Sequence, residues 1–378
     1  MGVSAFVRTA NEENFGGPAE AFSEGWGPHD TKLKEKTMEE TPRTESVVPS
    51  AEGRIGLDVG TSKILVARRT GRGLEASVEV NAFLPLPYSR ITENILLQNK
   101  VHYYQENGHF FVYGNSAEKF ASLFNSEARR PMSGGLINPH EPSALTLIKV
   151  IIQGLVKKAK GSDELVCFSV PGAPVDSPDD LIYHEEFLKN YITGLGYRVK
   201  SINEGQAVVF SELEKESFTG IGVSAGGGMC NVCLAYLSVP VISFSVTKAG
   251  DYIDRSTGSV TGESATRVKM IKEASLDLTR KPKDKVEEAL HIYYEEVMQT
   301  LVKQLNESLG KASNVPKLDR PIPVVLAGGT SRPKGFRDKF EQLLRESKCP
   351  IEISEVRLSA RPMQATAAGA LVAAVNDS

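Results

Sequence analysis

The chain has 378 residues, 40% of them hydrophobic and 24% charged, with a formal net charge of −3. That length suits two or three domain-sized units with buried cores, and the near-neutral charge excludes an overall basic field, so no nucleic-acid partner is expected. Four cysteines, Cys167, Cys230, Cys233 and Cys349, are too few and too scattered for a secreted disulfide framework and fit a reducing cytoplasm.

Residues 1–53 are rich in Glu, Gly, Pro, Ser and Thr and lack sustained periodicity, which predicts a disordered N-terminal tail. Phe6, Phe22 and Trp26 are isolated aromatics within it, leaving a protein-docking role open beside an idle one. No stretch reaches the roughly 18 uninterrupted apolar residues of a membrane span, and the N-terminus lacks a charged-then-apolar signal layout. A soluble, cytoplasmic protein is expected, with peripheral membrane contact left open.

Order is predicted to begin at Arg54. Residues 55–67 read as two apolar strands around the turn Asp58-Val59-Gly60-Thr61-Ser62-Lys63. A second hairpin is expected over residues 102–113, where alternating aromatics flank Asn107-Gly108, the dipeptide suited to a type I′ turn. Helices follow at 144–158 and 183–195, with a strand at 165–170 between them. Residues 220–246 read as two or three strands with Gly226-Gly227-Gly228 at a turn. The run 230–241 reads as a buried strand, and Cys230-x-x-Cys233 has no second such pair or nearby His to complete a metal site. Residues 266–278 and 286–309 are helical by periodicity: Val286, Leu290, Tyr294, Val297, Leu301, Leu305 and Leu309 recur at three- and four-residue steps. A buried strand at 323–326 leads into Ala327-Gly328-Gly329-Thr330 and another helix. An alanine-rich helix at 363–375 closes the chain.

One acidic-glycine turn is weak evidence, because many folds join strands that way. Chemically, Gly60 lets backbone approach a phosphate, Thr61 and Ser62 add donors, and Asp58 can face a hydrated cation. The device recurs at Ser224-Ala225-Gly226-Gly227-Gly228-Met229, so two hairpins can clamp a polyphosphate. A third glycine turn, Gly328-Gly329-Thr330-Ser331, precedes a helix, where exposed N–H groups favour anionic or polar ligand atoms. Between the hairpins, Glu204 in Asn203-Glu204-Gly205-Gln206-Ala207 opens a helix at a lobe junction.

In this order, the elements resemble the actin, hexokinase and seventy-kilodalton heat-shock chaperone superfamily over essentially residues 54–375. Residues 56–63 resemble its first phosphate loop, 204–210 its first connecting helix, 222–229 its second phosphate loop, 326–335 its adenosine loop and 362–373 its second connecting helix. Within it the chain is most similar to bacterial actin-like proteins of the MreB and MamK type. Arg130-Pro131-Met132-Ser133-Gly134-Gly135-Leu136-Ile137, Ala249-Gly250-Asp251-Tyr252-Ile253-Asp254 and Thr261-Gly262-Glu263-Ser264-Ala265-Thr266-Arg267-Val268-Lys269 resemble segments of those proteins.

The resemblance implies a two-lobed α/β fold, each lobe a five-stranded mixed sheet flanked by helices. It divides the chain into lobe I at 54–215, lobe II at 216–355 and a returning helix at 356–378, with insertions near 78–140 and 257–318. It implies ATP or ADP with Mg²⁺ in the central cleft, Asp58 positioning the metal and Glu204 activating water. Gly60, Thr61, Ser62, Lys63, Ser224, Gly226, Gly227, Gly228, Lys269, Gly328, Gly329 and Thr330 are the implied nucleotide-binding residues. The implied function is a filament-forming cytoskeletal or scaffold ATPase, with a non-polymerising adaptor of the FtsA or PilM style as the alternative. A sugar or acetate kinase fits less well, since no acceptor-site Asp signature is present. The chain departs from the family pattern at Ser224 for Asp, Met229 for Thr, Gly205 for Pro and Thr266 for Glu. The loss of a carboxylate at Ser224 predicts slow hydrolysis.

Overall fold

A computed structural model of the chain describes residues 53–124, 126–175, 181–312 and 315–377. Apart from Gly53, the expected N-terminal tail lies outside the described residues.

The first half opens with an antiparallel meander, β1 (Arg54–Val59), β2 (Lys63–Thr70) and β3 (Gly73–Val80). An insertion follows: β4 (Phe83–Pro87), α1 (Arg90–Gln98), β5 (Tyr103–Glu106), β6 (His109–Tyr113), α2 (Asn115–Leu123), and the two-residue strands β7 (Met132–Ser133) and β8 (Leu136–Ile137). The β5–β6 turn is the expected one, with positive φ at both Asn107 (48°) and Gly108 (74°). The chain then runs through α3 (Ala144–Val156), β9 (Leu165–Val170), α4 (Leu181–Gly194), β10 (Arg198–Asn203) and α5 (Glu204–Glu212).

The second half repeats the plan. Another meander, β11 (Gly220–Ala225), β12 (Cys230–Tyr236) and β13 (Val239–Val246), precedes α6 (Gly250–Thr261), α7 (Ala265–Ser275) and α8 (Lys285–Lys311). Strand β14 (Ile322–Ala327), a 3₁₀ turn at Gly329–Ser331, α9 (Phe336–Glu346), β15 (Ile353–Leu358) and α10 (Ala365–Val375) complete the chain. The two main sheets have the orders β10-β9-β1-β2-β3 and β13-β12-β11-β14-β15. Each is an antiparallel meander extended by two parallel strands, giving the two five-stranded mixed sheets expected.

Each sheet buries both faces. One face of the first packs on α3 and α4 through Ile148, Ile152, Phe168, Leu188 and Ile192; one face of the second packs on α6, α8 and α9 through Ile253, Leu290, Tyr294, Phe336 and Phe340. Their other faces meet α5 and α10, which cross between the sheets. That crossing has no room for side chains: a Cβ on Gly369 of α10 would overlap the Ala207 carbonyl oxygen of α5. A Cβ on Gly222 of β11 would likewise overlap the Gly205 carbonyl oxygen.

Periodicity misplaces some boundaries and misses some elements. The helix expected over 266–278 ends at Ser275, and Leu276, in extended backbone, and Leu278, in a turn, enter the core. Strand β3 lacks clean alternation because it is a half-exposed edge, and α6 starts on one glycine and carries another inside yet forms because Ile253, Asp254, Thr257 and Gly258 are packed inward. No helix among the described residues is long and apolar enough to cross a membrane.

Candidate functional site

Parallel strands β1 and β9 end on the same side of their sheet, as do β11 and β14, and the glycine turns lie at those ends. The two hairpin turns close alike, Gly60 N–H donating to the Lys63 carbonyl (3.0 Å) and Gly226 N–H to the Met229 carbonyl (2.9 Å). Asn81 supports the first, donating from its side chain to the Gly60 carbonyl (2.9 Å) and from its main chain to the Ser62 carbonyl (3.0 Å). The second hangs on the start of α6 and on the third glycine turn. Gly250 N–H donates to the Gly226 carbonyl (3.1 Å), Asp251 N–H to the Gly227 carbonyl (2.7 Å), and Thr330 Oγ1 to the Gly226 carbonyl (2.7 Å).

These turns line a single cavity of about 220 Å³. Every residue predicted for the site borders it: Asp58, Gly60, Thr61, Ser62 and Lys63 from the first hairpin, Glu204 from α5, Ser224, Gly226, Gly227 and Gly228 from the second, Lys269 from α7, and Gly328, Gly329 and Thr330 from the third turn. Lys269 also pairs with Glu118 of α2, Nζ to Oε1 2.9 Å.

Two of the carboxylates lining the cavity, Asp58 and Glu204, come from β1 and from the start of α5. Asp58 Oδ1 accepts from Ser169 Oγ (2.8 Å), while Glu204 Oε2 accepts from both Ser224 Oγ (3.1 Å) and Asn231 Nδ2 (2.9 Å). Enclosure by protein pushes the Asp58 carboxyl up to about 6, against the Ser169 hydrogen bond. Burial, and next the charge of Asp58, push Glu204 up to about 8 despite its two donors. Two ionised groups sharing such a cavity are disfavoured unless a cation joins them.

Sequence reasoning missed Ser169 and Asn231, which hold the two carboxylates. Their signal is a polar residue inside a strand otherwise buried and apolar, since such a group requires a partner. Also missed was the buried ion pair between Lys272 of α7 and Asp254 of α6 (2.7 Å), whose ammonium donates as well to the Gly250 carbonyl (3.1 Å). Burial raises Asp254 to about 6 even beside Lys272.

Three departures from the family pattern have local reasons here, and nothing in the structure explains the fourth. Ser224 uses its hydroxyl on Glu204. A Cβ at Gly205 would come within 2.6 Å of the Cys233 amide nitrogen, and its own N–H donates to the Asn203 cap (2.9 Å), a bond proline could not make. Met229 is buried against Gly135, and its sulfur accepts from Ser245 Oγ at 3.4 Å. Thr266 is exposed on α7. Cys230 and Cys233 are buried in β12, where burial holds both thiols at about 12.

Two sheets of one repeated plan, two connecting helices crossing between them and glycine hairpins closing on a shared cavity define an actin-like fold. The chain belongs to the volactin family, whose sequence model matches residues 54–374. No curated protein sequence matches it significantly. Among solved structures, a MamK double helical filament is similar at 18% identity and a TM-score of 0.63, covering 84% of this chain and 97% of that one. MreB5 of Spiroplasma citri bound to ADP is similar at 15% identity and a TM-score of 0.57, covering 83% and 94%. The ethanolamine utilization protein EutJ of Carboxydothermus hydrogenoformans is similar at 13% identity and a TM-score of 0.50, covering 84% and 89%.

Proposed function

We propose that the chain is a nucleotide-binding subunit that assembles end to end into cytoplasmic filaments and hydrolyses its nucleotide slowly. The observation that carries this reading is the convergence of three glycine turns from two sheets on one cavity with Asp58 and Glu204 in its lining. Exposed N–H groups at such turns favour polyphosphate oxygens. Lys63 and Lys269 add positive charge, and the lining that continues past Gly328 through Arg332, Pro333 and Met363 is where a nucleoside would lie. Bound ADP in the similar MreB5 structure and the filament formed by MamK support the two halves of the reading.

Mg²⁺ fits the oxygen donors present. Asp58 and Glu204 are each pushed toward the neutral form by enclosure, and a divalent cation nearby favours ionised carboxylates. Asp58 would hold the hydrated ion, which when bound neutralises charge on the phosphate oxygens. Glu204 orients the attacking water and takes its proton. Both donors to Glu204 bind the same oxygen, so Oε1 is the atom free to face water. Ser224 contributes a dipole where related proteins have a carboxylate, and loss of one such electrostatic group commonly costs about two to three powers of ten in rate.

The decisive experiment images the protein with and without ATP and Mg²⁺ by negative stain, alongside single-turnover cleavage by the parent, Ser224→Asp and Glu204→Ala. Filaments with ATP, faster cleavage in Ser224→Asp and loss in Glu204→Ala are expected. ATP binding without filaments replaces the subunit by an adaptor. A parent as fast as Ser224→Asp overturns slow hydrolysis.

A further inference from the structure

Arg130, Met132, Ser133, Gly135, Leu136 and Ile137 belong to the short β7–β8 hairpin segment, which lies against both phosphate-side turns. Gly135 N–H donates to Thr61 Oγ1 of the first turn (3.0 Å). A Cβ on Gly228 of the second turn would overlap both that nitrogen and Thr61 Oγ1. A Cβ on Gly227 would overlap Ser62 Oγ, so the turns interdigitate with no side-chain space between them.

Arg130 joins these parts. Its Nη1 donates to Ser62 Oγ (3.1 Å) and to both carboxylate oxygens of Asp251 (2.9 and 3.0 Å). Asp251 is in the first turn of α6, and its own N–H holds the Gly227 carbonyl. On the other side the arginine is rigidly mounted. Arg129 and Phe83 of β4 exchange main-chain hydrogen bonds (2.8 Å each), and the Arg129 guanidinium lies over the Phe83 ring and pairs with Glu141. One guanidinium thus ties the first-sheet turn to the second-sheet turn. The side chains are only 24% and 16% exposed, so solvent and salt screen this pair less than a surface one such as Arg267–Glu263 (66% and 35%).

We propose that the Arg130–Asp251 ion pair is a positioning clasp that keeps the two interlocked glycine turns closed along the phosphate side of the cavity, and so sets how long a nucleotide stays bound. The proposal rests on the nucleotide-binding reading above. The pair acts through the turns: it fixes Ser62 on one side and Gly227 on the other, and bound phosphate leaves only when these part. Arg130 and Asp251 share the ion pair, and Arg130 alone also holds Ser62, so loss of Arg130 includes whatever loss of Asp251 costs and the two changes do not add.

The test uses the full chain, the N-methylanthraniloyl derivative of ATP with Mg²⁺, and the variants Arg130→Gln, Asp251→Asn, their combination and Arg130→Lys. Each neutral single variant is expected to release the fluorescent nucleotide about tenfold faster, with association changed less than about threefold. The combination is no worse than the worse single change, and Arg130→Lys, retaining the charge on a shorter side chain, falls between it and the parent. Hydrogen exchange of peptides covering residues 58–64 and 224–230, measured without nucleotide, is expected to quicken in all the neutral variants. Release rates equal to the parent, effects that multiply in the combination, or a lowered melting temperature with unchanged exchange in both turns each overturn the clasp. A parent that fails to bind the fluorescent nucleotide overturns the nucleotide reading instead, and the exchange measurement still decides the clasp.

Discussion

Asn231 occupies both ends of its amide at the junction of the two halves. Its Nδ2 holds Glu204, and its Oδ1 accepts from Gly172 N–H (2.8 Å) in the segment after β9. Asn231→Ala leaves a buried N–H and a carboxylate short of a partner each, so a loss of about 1–3 kcal/mol in unfolding free energy is expected. Equilibrium urea titration checks this. His184, fully buried in α4, has no partner for either ring nitrogen among the described residues, and burial lowers it to about 4. The unfolded chain therefore binds a proton at His184 before the folded chain does. Above an ordinary histidine value of about 6.5 the residue contributes no pH dependence; from there down to about 4 it costs up to roughly 3 kcal/mol. His184→Leu is expected to flatten the fall in stability between pH 7 and 4.5, read from urea midpoints at each pH. An unchanged slope would falsify the assignment.

The crossing of α5 and α10 inverts an ordinary helix rule. An exposed helical glycine replaced by alanine gains about 1 kcal/mol, but at Gly369 the added methyl would overlap the Ala207 main chain and force the helices apart. Gly369→Ala is therefore expected to lower stability by several kcal/mol, of the order of other overpacking losses or beyond (about 1–3 kcal/mol). Gly154, on α3 with open space around its α-carbon, is the control, and alanine there is expected to be neutral or stabilising. Thermal melts of the two variants side by side decide the sign. The close approach also accounts for the small residues of α10 that flank Gly369, Ala367, Ala368 and Ala370, while Leu371 finds space on the face turned to the first sheet.

A ligand held between two halves stabilises the whole, because it binds only when both sheets present their turns. At about a hundred times its dissociation constant, ATP with Mg²⁺ is expected to add about 2.7 kcal/mol, raising the melting temperature with nucleotide concentration. Differential scanning fluorimetry over an ATP series measures this; a flat response would remove the central cavity as the binding site. The proposed end-to-end assembly would add a second linkage, a melting temperature that rises with protein concentration once nucleotide is present, as expected of a heterologous contact that does not close.

Local signals in the sequence determined the glycine turns, the strands that carry them and the long amphipathic α8, whereas the acidic residues Asp58 and Glu204 gained their meaning from the order of elements and the resemblance. Each local signal is a short-range consequence of backbone freedom, alternation or helical period, so it is legible without a partner in view. Resemblance extended this to the order of elements and the two-sheet plan. The rest depended on residues far apart in sequence. Ser169 and Asn231 are ordinary polar residues until their strands lie beside Asp58 and Glu204. Arg130 and Asp251 are separated by 121 positions, and only the closing of the two halves makes them a pair. Gly205 and Gly369 look like weak helix residues until another backbone arrives where a Cβ would be. Desolvation and steric exclusion are properties of the assembled neighbourhood, which is why tertiary structure alone decided which polar groups are held at the cavity, which carboxyls are pushed up and which glycines cannot be replaced.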